Sequence, residues 1–231
     1  MGIAEAVEAL QERIARACER CGRKREEISL LGVSKFHGAA ALEEAWNAGI
    51  RLFGESRVRE AASKFAGFKP GHPGAELHLI GALQRNKAKL AVDLFDMAQS
   101  VDREELIGTL GALTENRKEP LMILLEYHTA EESKSGFPDT ESLFRGAEKA
   151  LGFPGLKLRG LMTIAPYTGE EARIRSSFRA AVSARDALAL RFPGEDWSCL
   201  SMGMSGDFEI AIEEGSTLLR IGTALFGERS P

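Results

Sequence analysis

The sequence predicts a closed (β/α)8 barrel preceded by one extra helix. Three observations carry this reading. Short apolar runs alternate with helical segments, which implies parallel strands joined by right-handed crossovers. Eight such runs can be counted along the chain. The length, 231 residues, is close to that of one barrel domain. A doubly wound open sheet is the alternative that the same alternation allows. No linker, repeat or low-complexity stretch interrupts the pattern, so residues 1–231 are expected to form a single domain.

Residues 3–21 open the chain as an amphipathic helix, with Ile3, Val7, Leu10, Ile14, Cys18 and Cys21 recurring at spacings of three and four. Gly22 is its stop. Cys18 and Cys21 form a C-x-x-C with no second pair, and both continue the apolar stripe, so they read as core. Ile28–Lys35 is an apolar strand that ends in a lysine. Ala39–Gly49 is helical, Arg51-Leu52-Phe53 a short strand, Gly54-Glu55-Ser56 a turn and Arg57–Phe65 a helix. Glu76–Ile80 is the third strand. Gln84–Asp93 is a helix whose Arg85, Lys87 and Lys89 read as a solvated face. Leu94–Ala98 is the fourth strand and Arg103–Arg117 the next helix. Leu121–Leu125 is apolar throughout, as for a strand covered on both faces. Thr140–Leu151 is helical, Lys157–Ile164 a strand and Glu170–Phe192 the longest helix. Trp197–Ser201 is the seventh strand, followed by the tight loop Met202–Gly206. Asp207–Glu214 is helical, Thr217–Ile221 is the last strand, and Gly222-Thr223 begins a final short helix.

Composition narrows the function. A hydrophobic content of 44% is ordinary for a globular protein, and a chain of this length buries a core without staples. A net charge of -4 argues against a general nucleic-acid or anionic-membrane binder. No apolar run reaches membrane-spanning length. Glu5 and Glu8 stand where a signal peptide needs base, and Ala6 where a myristoylation signal needs a hydroxyl. Three cysteines cannot all pair within one chain, which points to a reducing, cytoplasmic setting.

In a barrel the strand C-termini share one face, and active sites are built there. That face collects Lys35, the Gly54–Ser56 turn, Met162-Thr163, the Ser201–Ser205 loop and Arg220–Thr223. An ammonium at the edge of an apolar core loses hydration, which favours the neutral amine, and a neutral amine attacks carbonyls. The loops after the seventh and eighth strands are a frequent phosphate site, where glycines admit close backbone approach and Ser201 and Thr223 add hydroxyls. Arg220, inside Leu218-Leu219-Arg220-Ile221, either pairs with a carboxylate or donates to a ligand atom. His78 reads as a satisfied barrel residue. The histidines show no metal spacing, and there is no Walker loop or nucleophile elbow. A strand-end lysine beside a phosphate site suits a Schiff-base sugar-phosphate aldolase or a pyridoxal phosphate site equally well.

Ordered blocks along the chain decide further. Leu31–Lys35, Phe53-Gly54-Glu55, His78–Gly81, Leu83–Lys87, Ser133–Gly136, Gly160–Thr163, Leu200–Ser205 and Arg220–Thr223 resemble, in order, the pyridoxal phosphate homeostasis proteins, relatives of the alanine racemase barrel domain. The resemblance implies a fold-type III barrel with pyridoxal 5'-phosphate linked to Lys35 as a Schiff base. It implies a phosphate cradle from Ser201, Gly222 and Thr223, and Arg220 facing the pyridine nitrogen. Ser56 and Met162 are expected beside the cofactor. Lys134 matches a family lysine implicated in cofactor handling. Three positions depart from the pattern: Ser56 replaces Asn, His37 replaces a second lysine, and Gly206 stands where Asp is common.

Such proteins are carriers or buffers of the cofactor, with no nucleic-acid or membrane partner. A monomer is expected, with apoenzymes that need pyridoxal phosphate as recipients. The sequence ends soon after the eighth strand, so the second domain that supplies alanine racemase with a tyrosine base is expected to be lacking. Tyr127 and Tyr167, the two tyrosines, lie outside that context. Robust turnover is therefore not expected; a weak racemase is the alternative.

Overall fold

A computed structural model describes residues 2–129 and 135–228. The strands are β1 (Ser29–Val33), β2 (Leu52–Glu55), β3 (Glu76–Leu79), β4 (Met97–Val101), β5 (Leu121–Glu126), β6 (Leu156–Met162), β7 (Cys199–Ser201) and β8 (Leu218–Ile221). They pair in sequence order, all parallel, and close into a barrel through β1 and β8. The helices are α1 (Ile3–Cys21), α2 (Ala39–Asn47), α3 (Val58–Phe68), α4 (Ala88–Leu94), α5 (Glu104–Thr114), α6 (Thr140–Leu151), α7 (Glu171–Arg191), α8 (Phe208–Glu213) and α9 (Thr223–Phe226). The open doubly wound sheet is thereby excluded. No helix among the described residues is long and apolar enough to cross a membrane.

The main core lies between sheet and helices, where Ile14, Phe53, Phe65, Phe178 and Phe208 are fully buried. Inside the barrel are two smaller apolar clusters, one around Leu31, Val33 and Leu218, the other around Met97, Leu124 and Met162. Cys18 is buried and Cys21 half-buried, as the apolar stripe predicts. No metal-binding cluster of His, Cys, Asp or Glu occurs among the described residues.

Several strands are shorter or shifted relative to expectation: β1 stops at Val33, two residues before Lys35, and β6 and β7 are each trimmed at one end, while two differences bear on the site. Gly54 and Glu55 continue β2 instead of turning, because Gly54 pairs with both Val33 and His78, and Glu55 pairs with Leu79. β4 begins at Met97, three residues later than the apolar run suggests. Leu94 closes α4, Phe95 packs in the helical layer, and Asp96 is held at the strand mouth. Its Oδ2 accepts from the Leu77 N–H at 2.7 Å and from Lys69 at 2.6 Å. Gln99 and Ser100, expected beyond the strand, are therefore buried within it.

Candidate functional site

A pocket of about 360 Å³ opens at the C-terminal mouth of the barrel. Of the residues expected there, Lys35, Ser56, Arg220, Gly222 and Thr223 line it. Met162 and Ser201 do not; both are buried in the barrel interior beneath. Lys134 falls outside the described residues. Sequence reasoning underused Ser205 and Asp207, which line the pocket from the loop after β7, and Tyr167, which lines it from the loop after β6 and is fully exposed. The tyrosine expected to be out of context thus stands at the rim. A serine or an acid in a Gly-rich loop at a strand C-terminus was the available signal for the first two.

Lys35 follows β1, and the backbone on each side of it is held by charge. Lys64, from α3, donates to the Ser34 carbonyl at 2.8 Å. Glu60 Oε1 accepts from the Phe36 N–H at 2.6 Å and from Lys64 at 3.0 Å. Lys64 also lies 2.6 Å from Glu55 Oε1, which accepts from the Ser34 hydroxyl at 2.7 Å. Phe36 sits at φ 70°, in a region costly for a residue with a Cβ. Burial pushes the Glu55 carboxyl up, against Lys64 and Ser34. Burial also acts to raise Glu60, but the Phe36 N–H and Lys64 outweigh it and hold it low. His37 stacks on Phe226 at 5.0 Å and does not line the pocket; burial and the nearby Lys64 hold its imidazole down.

Beside Ser56, Gly81 is required by contact. A Cβ there would lie 2.5 Å from the Ser56 carbonyl oxygen. Gly203, at φ 95°, lets the chain after β7 turn against α8, where a Cβ would meet Ala211 at 2.6 Å.

Arg220 is held differently. It makes no ion pair among its hydrogen bonds: one nitrogen donates to Ser201 Oγ at 2.7 Å and another to the Thr163 carbonyl at 2.8 Å. Burial pulls its guanidinium down to about 10, which still leaves it charged at neutral pH. Ser201 in turn donates to Gln99 Oε1 at 2.7 Å, so its hydroxyl is committed inside the barrel. Hydroxyls at the pocket itself are those of Ser56, Tyr167, Thr168, Ser205 and Thr223. Ser205 Oγ accepts from the Ala224 N–H at 3.2 Å, tying the β7 loop to α9. That helix is four residues long, too short for the dipole contribution expected of a full helix. Asp207 and Glu126 lie within the field of Arg220, and burial raises both carboxyls.

The barrel with its lysine-bearing mouth matches the family described as alanine racemase, N-terminal domain, over residues 6–230, and the chain belongs to that family. Within it the chain groups with the pyridoxal phosphate homeostasis proteins. It is 40% identical to the Vibrio cholerae protein of that name over 230 residues, covering 98% of this chain and 96% of that one. PipY of Synechococcus elongatus, solved with PLP bound, superposes with a TM-score of 0.85 at 34% identity, covering 97% of this chain and 100% of that one. Alanine racemase of Bacillus anthracis shares the fold alone, at 16% identity and a TM-score of 0.69; the alignment spans 57% of that longer chain.

Proposed function

We propose that this chain binds pyridoxal 5'-phosphate in the upper pocket, with Lys35 as its covalent anchor, and serves in homeostasis of that cofactor. The observation that carries the reading is the meeting of Lys35, Arg220 and the hydroxyls of Ser205 and Thr223 in one pocket. Its volume, about 360 Å³, falls in the range of small-molecule sites. The donor set also fits. An amine suits an aldehyde. Hydroxyls beside Gly206 and Gly222 suit a phosphate. A guanidinium, which donates and cannot accept, suits an unprotonated ring nitrogen. When bound, the group supplies an electrophilic aldehyde and an electron-withdrawing ring. The chain's own residues position Lys35 through Lys64 and Glu60, and hold Arg220 charged inside an apolar wall.

The test is borohydride reduction after incubation with pyridoxal phosphate, followed by peptide mapping. A stable mass on Lys35, lost in Lys35→Ala, is the expected result. Trapped mass on another lysine, Lys134 included, would reject Lys35 as anchor. The reading extends to a cytoplasmic monomer of one domain that delivers the cofactor to apoenzymes without robust turnover of its own. Tyr167 at the rim favours one second reading, a weak amino-acid racemase. Exchange of the α-proton of added amino acids in deuterated water, abolished by Tyr167→Phe, would support it.

A further inference from the structure

A second cavity, of about 590 Å³, lies at the opposite, N-terminal mouth of the barrel. Glu76, His78, Arg159 and Cys199 form its polar side, and Leu52 and Met122 contribute to its apolar side. The N-terminal face of such a barrel ordinarily serves stability, so polar groups there call for an account.

The expectation that His78 is a satisfied barrel residue holds for one ring nitrogen only. The imidazole is 2% exposed, and its Nδ1 lies 2.8 Å from Gln99 Nε2. The direction of the protons in this chain of contacts follows from Arg220 together with the orientation of the Gln99 amide. A guanidinium only donates, so Ser201 Oγ accepts from it, and because Gln99 turns its Oε1 to Ser201, the hydroxyl donates its own proton there. The Gln99 amide nitrogen then faces His78, and an amide nitrogen also only donates. His78 Nδ1 must accept, which places the imidazole proton on Nε2.

That Nε2–H is buried and makes no hydrogen bond among the described residues. The nearest carboxylate oxygen, on Glu76, is 3.5 Å away, longer than a well-formed N–H···O bond, although this contact with His78 is the main cause that holds the Glu76 carboxyl below its ordinary value. The Nε of Arg159 is likewise buried without a hydrogen-bond partner, although its Nη1 is paired with Asp196 at 2.8 Å. Leaving such donors unmade is costly. The side chains that carry these nitrogens line the same cavity, beside an apolar wall. Arg23 and Glu27 at the rim pair with each other at 3.0 Å, so they do not answer these donors. Burial pushes the Cys199 thiol up to about 12, which makes it neutral wall and no nucleophile.

We propose that the N-terminal mouth is a binding site for a small carboxylate carrying an apolar group, its oxygens accepting from His78 Nε2–H and Arg159 Nε–H. The carboxylate belongs either to a simple acid or to an amino acid whose ammonium faces Glu76. This site stands on its own geometry and does not depend on what occupies the upper pocket.

The experiment is NMR of the full chain carrying 15N-labelled histidine, titrated with isovalerate and, in parallel, with leucine. The free protein should show the Nε2–H tautomer at His78. Saturable perturbation of that resonance is expected with a Kd at or below about 1 mM for at least one ligand. Arg159→Lys keeps the charge but removes the Nε donor, and should weaken binding about 10-fold while leaving the tautomer unchanged. His78→Phe should abolish binding; if that variant does not fold, Arg159→Lys carries the test. Glu76→Gln should strengthen isovalerate if the acid is the ligand, and weaken leucine if the amino acid is. An Nδ1–H tautomer, no saturable shift with either ligand, or equal affinity in Arg159→Lys would overturn the proposal.

Discussion

Lys35 and Arg220 reach the upper pocket from adjacent strands, but their surroundings are built from opposite materials. Beside Lys35 the chain is held by ions: Lys64 stands among Glu55, Glu60 and the Ser34 carbonyl, largely out of water. Arg220 is held by neutral oxygens of Ser201 and Thr163, in a chain that continues through Gln99. The difference follows from what each side chain must remain able to do. The ions fix the backbone on either side of Lys35, while its own side chain lines the pocket. The Arg220 guanidinium has no carboxylate tied to it by hydrogen bonds, so its remaining donors keep their strength for an acceptor in the pocket.

The comparison can be broken most forcefully at Lys64. Lys64→Met removes one partner of a buried ion pair and strands Glu55, at a cost of about 3–5 kcal/mol. Urea denaturation should show the loss, and Lys64→Met/Glu55→Gln should recover most of it because the fully buried charge is then removed and Glu60 keeps the Phe36 N–H. A wild-type midpoint for the single variant would mean that the ion network does not hold this wall.

On the neutral side, Arg220→Met should cost less, about 1–3 kcal/mol, since it leaves two neutral acceptors without a donor. Arg220→Glu tests the chemistry. An arginine keeps a facing ring nitrogen unprotonated, whereas a carboxylate would favour the protonated ring. In protein that remains folded and still binds the cofactor, α-proton exchange of an added amino acid should rise. If NMR in deuterated water shows no rise, Arg220 does not suppress turnover.

Glu126 sharpens the comparison through pH. Burial raises its carboxyl from the ordinary 4.5, despite the Ser135 hydroxyl that donates to it and the field of Arg220. A raised acid stabilises the fold fully below the unfolded value and loses that contribution as pH climbs through the folded one. Wild type should therefore lose stability relative to Glu126→Gln as pH rises from about 4.5, by about 1.4 kcal/mol for every tenfold by which burial weakens the acid. Parallel curves from urea melts across that range would show that burial does not raise the Glu126 carboxyl. The smallest effect is expected at Ser56. Ser56→Asn offers both a donor and an acceptor at the pocket and should tighten cofactor binding by about 1 kcal/mol. Weaker or unchanged binding in a spectroscopic titration would count against a contact there.

Local pattern made much of this legible. The apolar stripe from Ile3 to Cys21 became α1, and Lys35 stands at the upper mouth as expected, although β1 ends two residues before it, at Val33. The positions of Arg220, Gly222 and Thr223 on the pocket followed from their place at the end of the last strand and just after it. Less legible was the start of β4, because Leu94 and Phe95 are apolar for the helical layer and carry no mark that says so. That three-residue slip hid Gln99.

The alternation of short apolar runs with amphipathic segments by itself determined parallel strands under covering helices, since each run can bury both faces only under such a helix, but it left the closed barrel and the open sheet both possible. It also determined which loops share the upper mouth. Closure of the barrel decided the rest. Ser201 and Gln99 are 102 residues apart in the chain, and their hydrogen bond exists because opposite walls meet across a narrow interior. The proton order from Arg220 to His78, the ions around Lys64 and the two donors at the lower mouth are likewise contacts between separate strands and helices. A sequence records which side chains can donate, but which acceptor stands within about 3 Å is set only when the strands close.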